Sequence, residues 1–246
     1  MTLQITKAVI FTLFLSGVSM CAEDDAVRRP SIGLRFEYTQ TRPFETTSAD
    51  TSTTKPIADY NYSATSSSRG VIPTPNVEYR LTPRITLGVE FQFHHSQYKQ
   101  VTQVRTGKKD PNSATDDRPV TTITETTKAS YWELPFLARY YGLSGHGIGS
   151  RAYLLGGLAY RHVGNIRTGN EYSNADGTTD YNETPAIPEH RNQLGLVAGI
   201  GLRFVDDYRI KITPEVRVTH WQGTTFNTPA VRSAANQVSV GLGFAF

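Results

Sequence analysis

From Ser31 onward the chain repeats one pattern: apolar and polar residues alternate with a period of two, in segments separated by turn or loop residues. In SIGLRFEYTQ, Ile32, Leu34, Phe36 and Tyr38 share one face and Gly33, Arg35, Glu37 and Thr39 the other. In VIPTPNVEYRL, Val77, Tyr79 and Leu81 oppose Asn76, Glu78 and Arg80. After Thr82-Pro83, ITLGVEFQFH sets Ile85, Leu87, Val89, Phe91 and Phe93 against Thr86, Gly88, Glu90, Gln92 and His94. YWELPFLARYY and RAYLLGGLAYRHV continue the pattern, the second less cleanly, and segments 194–204, 210–218 and 237–246 bring the number to eight. Each is about 10 to 13 residues long, roughly twice an ordinary globular strand. Eleven residues rising about 3.3 Å each at a tilt near 45° climb roughly 25 Å, the height of the apolar band on an outer-membrane barrel.

The connections sort by length. Long ones, near 42–69, 97–129, 164–190 and 222–235, alternate with short ones at 82–83, 142–150 and 206–207. An even-stranded barrel with both ends of the chain in the periplasm requires this alternation of extracellular loops and periplasmic turns, whereas a soluble sandwich has no reason for it. The pattern therefore predicts an all-β fold, an eight-stranded antiparallel up-and-down transmembrane β-barrel with four long extracellular loops. Aromatics near the stripe ends, Tyr38, Tyr79, Phe93, Trp132, Tyr140, Tyr160, Phe204 and Phe246, are placed for interfacial girdles. KQVTQV and VTTITETT flank the polar KKDPNSATDD, so 97–128 reads as a hairpin that carries the third and fourth strands beyond the membrane.

The N-terminus supplies a route to the membrane. Lys7 precedes an apolar run at 8–18, followed by small residues and Glu23, Asp24 and Asp25; the run is too short to span a bilayer and reads as a secretory signal peptide. Residues 1–22 are expected to be cleaved, after Ser19 or Ala22, leaving 23–246 as a single barrel domain. The only cysteine, Cys21, lies at that junction, so the mature chain is expected to hold no internal disulfide; Val18-Ser19-Met20-Cys21 departs from a bacterial lipobox at Met20. Without Lys7 the chain carries 24 basic and 22 acidic residues, a net of +2 that makes no case for nucleic acid. A hydrophobic content of 38% and a mean hydropathy of −0.38 would suit a soluble protein. Downstream of the leader no apolar run approaches the roughly 20 residues of a membrane helix, so membrane residence requires a closed barrel, whose strands satisfy one another's backbone groups.

With these features in hand, the GLGFAF ending and the YWELPFLARYY and YLLGGLAY stretches resemble the small outer-membrane barrels of the OmpX, OmpW and OmpA transmembrane-domain class. More closely, residues 31–246 resemble the outer membrane protein beta-barrel domain proteins of Gram-negative-type bacteria. The resemblance implies residence in the bacterial outer membrane. It also implies that Val240, Leu242, Phe244 and Phe246 form the terminal signal read by the barrel-assembly machinery.

If the apolar stripe meets lipid, the opposite stripe encloses Arg35, Glu37, Glu78, Arg80, Glu90, Glu133, Arg139, Arg161, Arg203, Glu215 and Arg217. These are expected to pair across the lumen, because charges removed from water are tolerated when paired and hydrogen-bonded. Gly195, Gly199, Gly201, Gly241 and Gly243 fall on the same face and make room for the long side chains. Eight strands enclose little more than their own side chains need. The favoured function is an integral barrel with a structural or surface-interaction role and a lumen filled by Arg/Glu pairs. A narrow porin-like channel for small or apolar solutes is the alternative; a secreted lipocalin-like binder would instead turn the apolar stripe inward. The expected partners are outer-membrane lipid, lipopolysaccharide and the barrel-assembly machinery, and a monomer is expected.

Candidate chemistry is sparse. His94 and His95 are strand neighbours and point to opposite faces. His146, His162, His190 and His220 are scattered, and no HExxH, CxxC, Walker or dinucleotide fingerprint is present. Barrel enzymes that deacylate lipid A place a His and a Ser two apart on a late strand; here His220 is followed by Gln222, which has no nucleophilic oxygen. Asp176-Gly177 does not match a calcium loop. No catalytic residue, cofactor or metal is expected, and the chain is read as a non-enzyme.

Overall fold

The computed structural model describes residues 30–40, 43–54, 57–68, 70–113, 115–142, 151–174, 176–184, 188–205 and 210–245. Among these it is all strand: β1 (Pro30–Thr39), β2 (Phe44–Thr46), β3 (Ala49–Thr54), β4 (Ile57–Ser68), β5 (Val71–Arg80), β6 (Ile85–Glu90), β7 (Gln92–Thr106), β8 (Val120–Tyr141), β9 (Ala152–Ser173), β10 (Thr179–Thr184), β11 (Asn192–Leu202), β12 (Phe204–Val205), β13 (Lys211–Gln222), β14 (Val231–Ser233) and β15 (Asn236–Ala245). The signal peptide, its cleavage site, Cys21 and Phe246 lie outside the described residues.

Strands β1, β5, β6, β8, β9, β11, β13 and β15 form a ring in which every neighbour is antiparallel and β15 returns to β1. The ring is tilted by a definite amount. Following paired residues around it from Gln40 leads through Val238, Val218, Ala198, Gly156, Ala138, Leu87 and Tyr79 to Pro30, ten residues from the start. With strands roughly 4.8 Å apart and a rise of about 3.3 Å per residue, a shear of ten over eight strands sets the tilt near 41° and the backbone radius near 8 Å. A cylinder of that bore is filled by the side chains that point into it.

The alternation in the sequence becomes an inside and an outside. Leu87, Phe91, Phe136, Leu158, Leu196, Ile200 and Leu242 are exposed, Ile200 at 60%, while Arg35, Glu90, Arg139, Glu215 and Arg217 are buried. Burial of charge beside exposure of leucine is the reverse of a water-soluble protein and fits a ring surrounded by hydrocarbon. From Trp132 to Tyr140, the aromatic ends of the β8 stripe, the rise at this tilt is roughly 20 Å, close to the height of an outer-membrane apolar band. Tight packing inside depends on residues without side chains: the Tyr153 ring lies over Gly201, and the Arg35 side chain runs against Gly241.

At one end of the ring, β5 turns into β6 through Thr82, whose hydroxyl accepts from the Arg84 and Ile85 N–H groups. Pro30 pairs with Tyr79 and Ala245 with Lys211, so both ends of the described chain lie on this short-turn side. At the opposite end the ring grows a sheet. β6 and β7 keep one register against β8 across the interruption at Phe91, and β8 and β9 continue as 22-residue strands with a bulge where Ala129 and Tyr131 face β9. Together with β3, β4 and β10 they make an open sheet in the order β3-β4-β7-β8-β9-β10 that stands above the ring.

This extension corrects part of the loop assignment. The hairpin expected within 97–128 is present, its strands paired out to Arg105 and Val120. Residues 42–69 and 164–190, read as loops, also contain strands β2, β3, β4 and β10 and the end of β9. Above the membrane both sheet faces can be polar, and in β3 and β10 the alternation that marks a barrel strand is lost, whereas β4 keeps a short one in Tyr60, Tyr62 and Ala64.

The tip of the β7–β8 hairpin is fastened by ions. The Arg118 guanidinium donates to Asp116 at 2.8 Å and reaches Asp59 on β4 at 2.6 Å. These hydrogen bonds hold the Asp116 carboxyl at about 2, and a hydrogen bond from Ser52, with that from Arg118, lowers Asp59. Because both carboxyls are depressed in the folded state, the clamp contributes fully above the ordinary carboxylate range, near pH 4, and its Arg118–Asp116 part is lost as pH falls toward 2. In nuclear magnetic resonance titrations, the Arg118 side-chain signals are expected to hold steady down to about pH 3 and to shift below it. A shift centred near pH 4 would mean that the clamp does not form.

Candidate functional site

The lumen is filled in layers. Arg35 on β1, Arg139 on β8 and Arg217 on β13 converge on two carboxylates, Glu90 at the end of β6 and Glu215 on β13. Glu90 lies 2.8 Å from Arg139, 2.6 Å from Arg217 and 3.6 Å from Arg35. Glu215 takes a bidentate pair from Arg35, contacts Arg139 at 3.4 Å, bonds to Arg217, and accepts the Tyr153 hydroxyl at 2.6 Å. Each carboxylate thus touches the same three guanidiniums. Glu78 on β5 pairs with Arg139 at 2.8 Å, and Glu37 on β1 faces Arg217 at 3.6 Å while accepting from Gln92 at 2.8 Å. Charge-assisted, partly bidentate bonds among strands far apart in sequence tie the two sides of the ring together.

Toward the extended sheet a second layer centres on Arg161. It pairs with Glu133 at 2.7 Å and donates to Gln237 at 2.6 Å, and its guanidinium lies 3.7 Å from the Trp221 ring centre and 4.8 Å from that of Tyr131. The Trp221 indole donates to the same Gln237 oxygen, and His94 stacks on Tyr131. A void of only about 20 Å³ separates the two layers, room for about one water molecule.

A lid closes the upper end. β2 and β14 pair as a two-stranded sheet across the mouth, Phe44 opposite Ser233 and Thr46 opposite Val231. Phe44, Tyr98 and Phe226 meet edge to face with ring centres 5.4 to 5.7 Å apart. Val231, Val163, Tyr131 and Ala129 complete a buried apolar cluster beneath. The Ser233 hydroxyl accepts the Thr225 and Phe226 N–H groups, which holds the segment folded inward. At the short-turn end Tyr141 and Tyr153 pack together, and Arg203 lies 4.1 Å from the Tyr141 ring centre.

The profile of the outer membrane protein beta-barrel domain matches residues 29–220. The chain belongs to that family. It is therefore an outer-membrane β-barrel protein of the bacterial envelope. Solved structures similar to this barrel include AlkL, an outer membrane protein studied in lipid bilayers, at 11% identity over 93% of this chain and 95% of that one, with a TM-score of 0.41. Ail, the attachment invasion locus protein of Yersinia pestis, is 12% identical over 88% and 97%, with a TM-score of 0.34. Neisserial surface protein A is 10% identical over 88% and 97%, with a TM-score of 0.30. No curated protein matches the chain.

Of the eleven residues assigned to the lumen network of this outer-membrane barrel, the structure brings nine together in the two buried layers. Arg80 and Arg203 are the exceptions. Arg80 donates to the backbone carbonyls of Thr82 and Pro83 and braces the turn, and Arg203 covers Tyr141 at the rim. Both share the inward parity of their strands but sit at the strand ends, and parity gives direction without height. Of the assembly-signal residues, Val240 and Leu242 are exposed and Phe244 packs edge to face on Phe36.

The sequence reading missed the lid and Trp221, while Gln92 and His94 were placed on the inward face without being assigned to the network. Gln92 and Trp221 lie on strands and follow the inward parity, so their positions were readable. Phe44, Phe226 and Val231 are isolated apolar residues in segments without a period, and only their apolarity among polar neighbours marks them. The histidines fall as expected for neighbouring strand positions: His94 points inward, His95 outward to Ser130 at 3.0 Å. His162 and His220 bond to Asn192 and Asn236, and His146 lies outside the described residues. No group of three or more metal-ligating side chains occurs among the described residues.

Proposed function

We propose that this protein is a closed, non-enzymatic barrel whose role is structural and surface-interacting, exported through a cleaved signal peptide and inserted as a monomer by the barrel-assembly machinery. The observation that carries the reading is the double closure of the lumen: a buried Arg/Glu layer at mid-height and an apolar lid at the mouth. A conduit for small solutes would have to break charge-assisted bonds in the first and dewet the second. What remains available for interaction is the extended sheet, which presents strands β3 and β10 as open edges.

Outer-membrane lipid and lipopolysaccharide are the proposed surroundings. The exposed apolar belt supports the first. Lys99, Lys128 and Arg167 support the second: they are exposed, alternate with the buried Tyr98, Thr127 and Thr168, and stand on the outward face above Phe93 and Trp132. Lys128 and Arg167 are cross-strand partners, so anionic head groups would meet a paired cation site.

The test is planar-bilayer recording on purified, folded protein. The expected result is no stable conductance, with brief small openings at most. A steady, water-filled conductance in every inserted molecule would instead favour the narrow-channel alternative.

A further inference from the structure

At the end of the ring away from the extended sheet, three cations point into the lumen. Arg80 is the last residue of β5, Arg203 lies between β11 and β12, and Lys211 is the first residue of β13. They share the inward parity of Glu78, Gly201 and Glu215 on the same strands, and all three are half-buried. Carried around the ring by the strand pairings, the shear of ten places them within about 3 Å of one level along the barrel axis. Lys211 feels the charge of both guanidiniums.

None of the three forms an ion pair with a described residue. Arg80 donates only to the carbonyls of Thr82 and Pro83, at 3.3 and 3.0 Å, and Arg203 lies over the Tyr141 ring, contacts that leave both charges in place. Glu78, the one described carboxylate that acts on Lys211, is bound to Arg139 at 2.8 Å. The two buried layers hold four guanidiniums against five carboxylates, a deficit of one. The described lumen therefore carries a surplus of two positive charges, and its unpaired cations all stand at this mouth. Clustered like charges beside low-dielectric walls focus their field on an incoming anion.

The arrangement of the donors selects among anions. Arg203 and Lys211 come from neighbouring sides of the ring, and Arg80 enters three strands further round. A carboxylate brings one charge and two oxygens in a plane. A terminal phosphate brings nearly two charges and three oxygens spread in space, which matches both the surplus and the directions of approach. We propose that this mouth, on the periplasmic side of an outer-membrane barrel, binds phosphate groups, with Arg203 and Lys211 on one side of the anion and Arg80 on the other. The same group comes free in solution or on the head group of an inner-leaflet lipid. Asp206 and Asp207, in the turn between Arg203 and Lys211, and Glu23, Asp24 and Asp25 lie outside the described residues. The test treats them as rivals for the cations.

The experiment titrates pyrophosphate, and tricarballylate as its carboxylate counterpart, into the full mature chain folded in phosphatidylcholine nanodiscs, with calorimetry as the readout. Pyrophosphate is expected to bind, with tenfold or greater weakening in Arg203→Gln and in Lys211→Gln and no change in Lys108→Gln at the far hairpin tip. Lys211→Arg, which keeps the charge, is expected to retain binding. Nanodiscs containing phosphatidic acid separate the sources: lost pyrophosphate binding there assigns the site to a lipid head group, and unchanged binding assigns it to free phosphate. No binding to the native chain, binding unchanged in both mouth variants, or tricarballylate bound as tightly as pyrophosphate overturns the inference. So does binding that appears only when Asp206→Asn and Asp207→Asn are combined, because the cations then answer to the chain's own carboxylates. If heat-modifiable gel mobility shows that a glutamine variant does not fold, the comparison of the two anions on the native chain decides.

Discussion

Replacing Glu90 with alanine is expected to destabilise the folded barrel by about 3–5 kcal/mol, the usual consequence of removing one partner from a buried ion network. The residue is 1% exposed and its carboxylate contacts three guanidiniums at once. Its loss leaves Arg35 with Glu215 alone, and Arg139 and Arg217 with Glu215 and the flanking Glu78 and Glu37, inside a narrow cylinder where no bulk water can screen them. Glu90→Gln should cost less, because the amide oxygen still accepts a hydrogen bond although the charge is gone. Urea-dependent folding into lipid vesicles measures both. A Glu90→Ala cost below about 1 kcal/mol would mean that the charges are solvated and the lumen is open.

The second large effect is expected on the other face. Phe136 stands midway between Trp132 and Tyr140 on β8 and is 51% exposed, so Phe136→Arg places a cation near the bilayer midplane. The expected destabilisation is about 2–4 kcal/mol, whereas Phe136→Leu should stay within about 1 kcal/mol. The same arginine would be nearly neutral on a strand facing water. Equal stabilities of the two variants in vesicles would therefore contradict the membrane placement of this face.

These two positions also show why the barrel was legible in the sequence. Glu90 and Phe136 obey opposite solvents, and a chain that separates a lumen from lipid must write both along every strand with a period of two. Register, and with it the closure of the ring, follows from the same constraint, since a slip of one residue would turn Glu90 outward. The signal weakens where the solvents become alike. In β3, with ADTSTT, and in β10, with TDYNET, nearly every side chain meets water, so no apolar stripe separates strand from loop; in β4 the alternation of Tyr60, Tyr62 and Ala64 with Asp59, Asn61 and Ser63 was present but short and set in a Thr- and Ser-rich segment. The lid was less legible still. Phe44 and Val231 are brought opposite β7 and β9 by chain folding across the mouth, a long-range contact that no local period encodes. Arg80 and Arg203 mark the complementary failure: their parity was read correctly, but the level at which a strand leaves the lumen depends on shear and tilt, which the pairing of distant strands determines.

The account rests on the placement of hydrocarbon against the leucine and phenylalanine stripe with the arginines and glutamates enclosed. Spin labels at Phe136, Ile200 and Leu242, introduced singly into a cysteine-free chain in lipid vesicles, test it by collision with dissolved oxygen and with a water-soluble nickel chelate. High oxygen and negligible nickel accessibility at all three sites is the predicted result. Free access of the nickel chelate to these labels, with oxygen accessibility no greater than at the hairpin tip near Asn112, would contradict it.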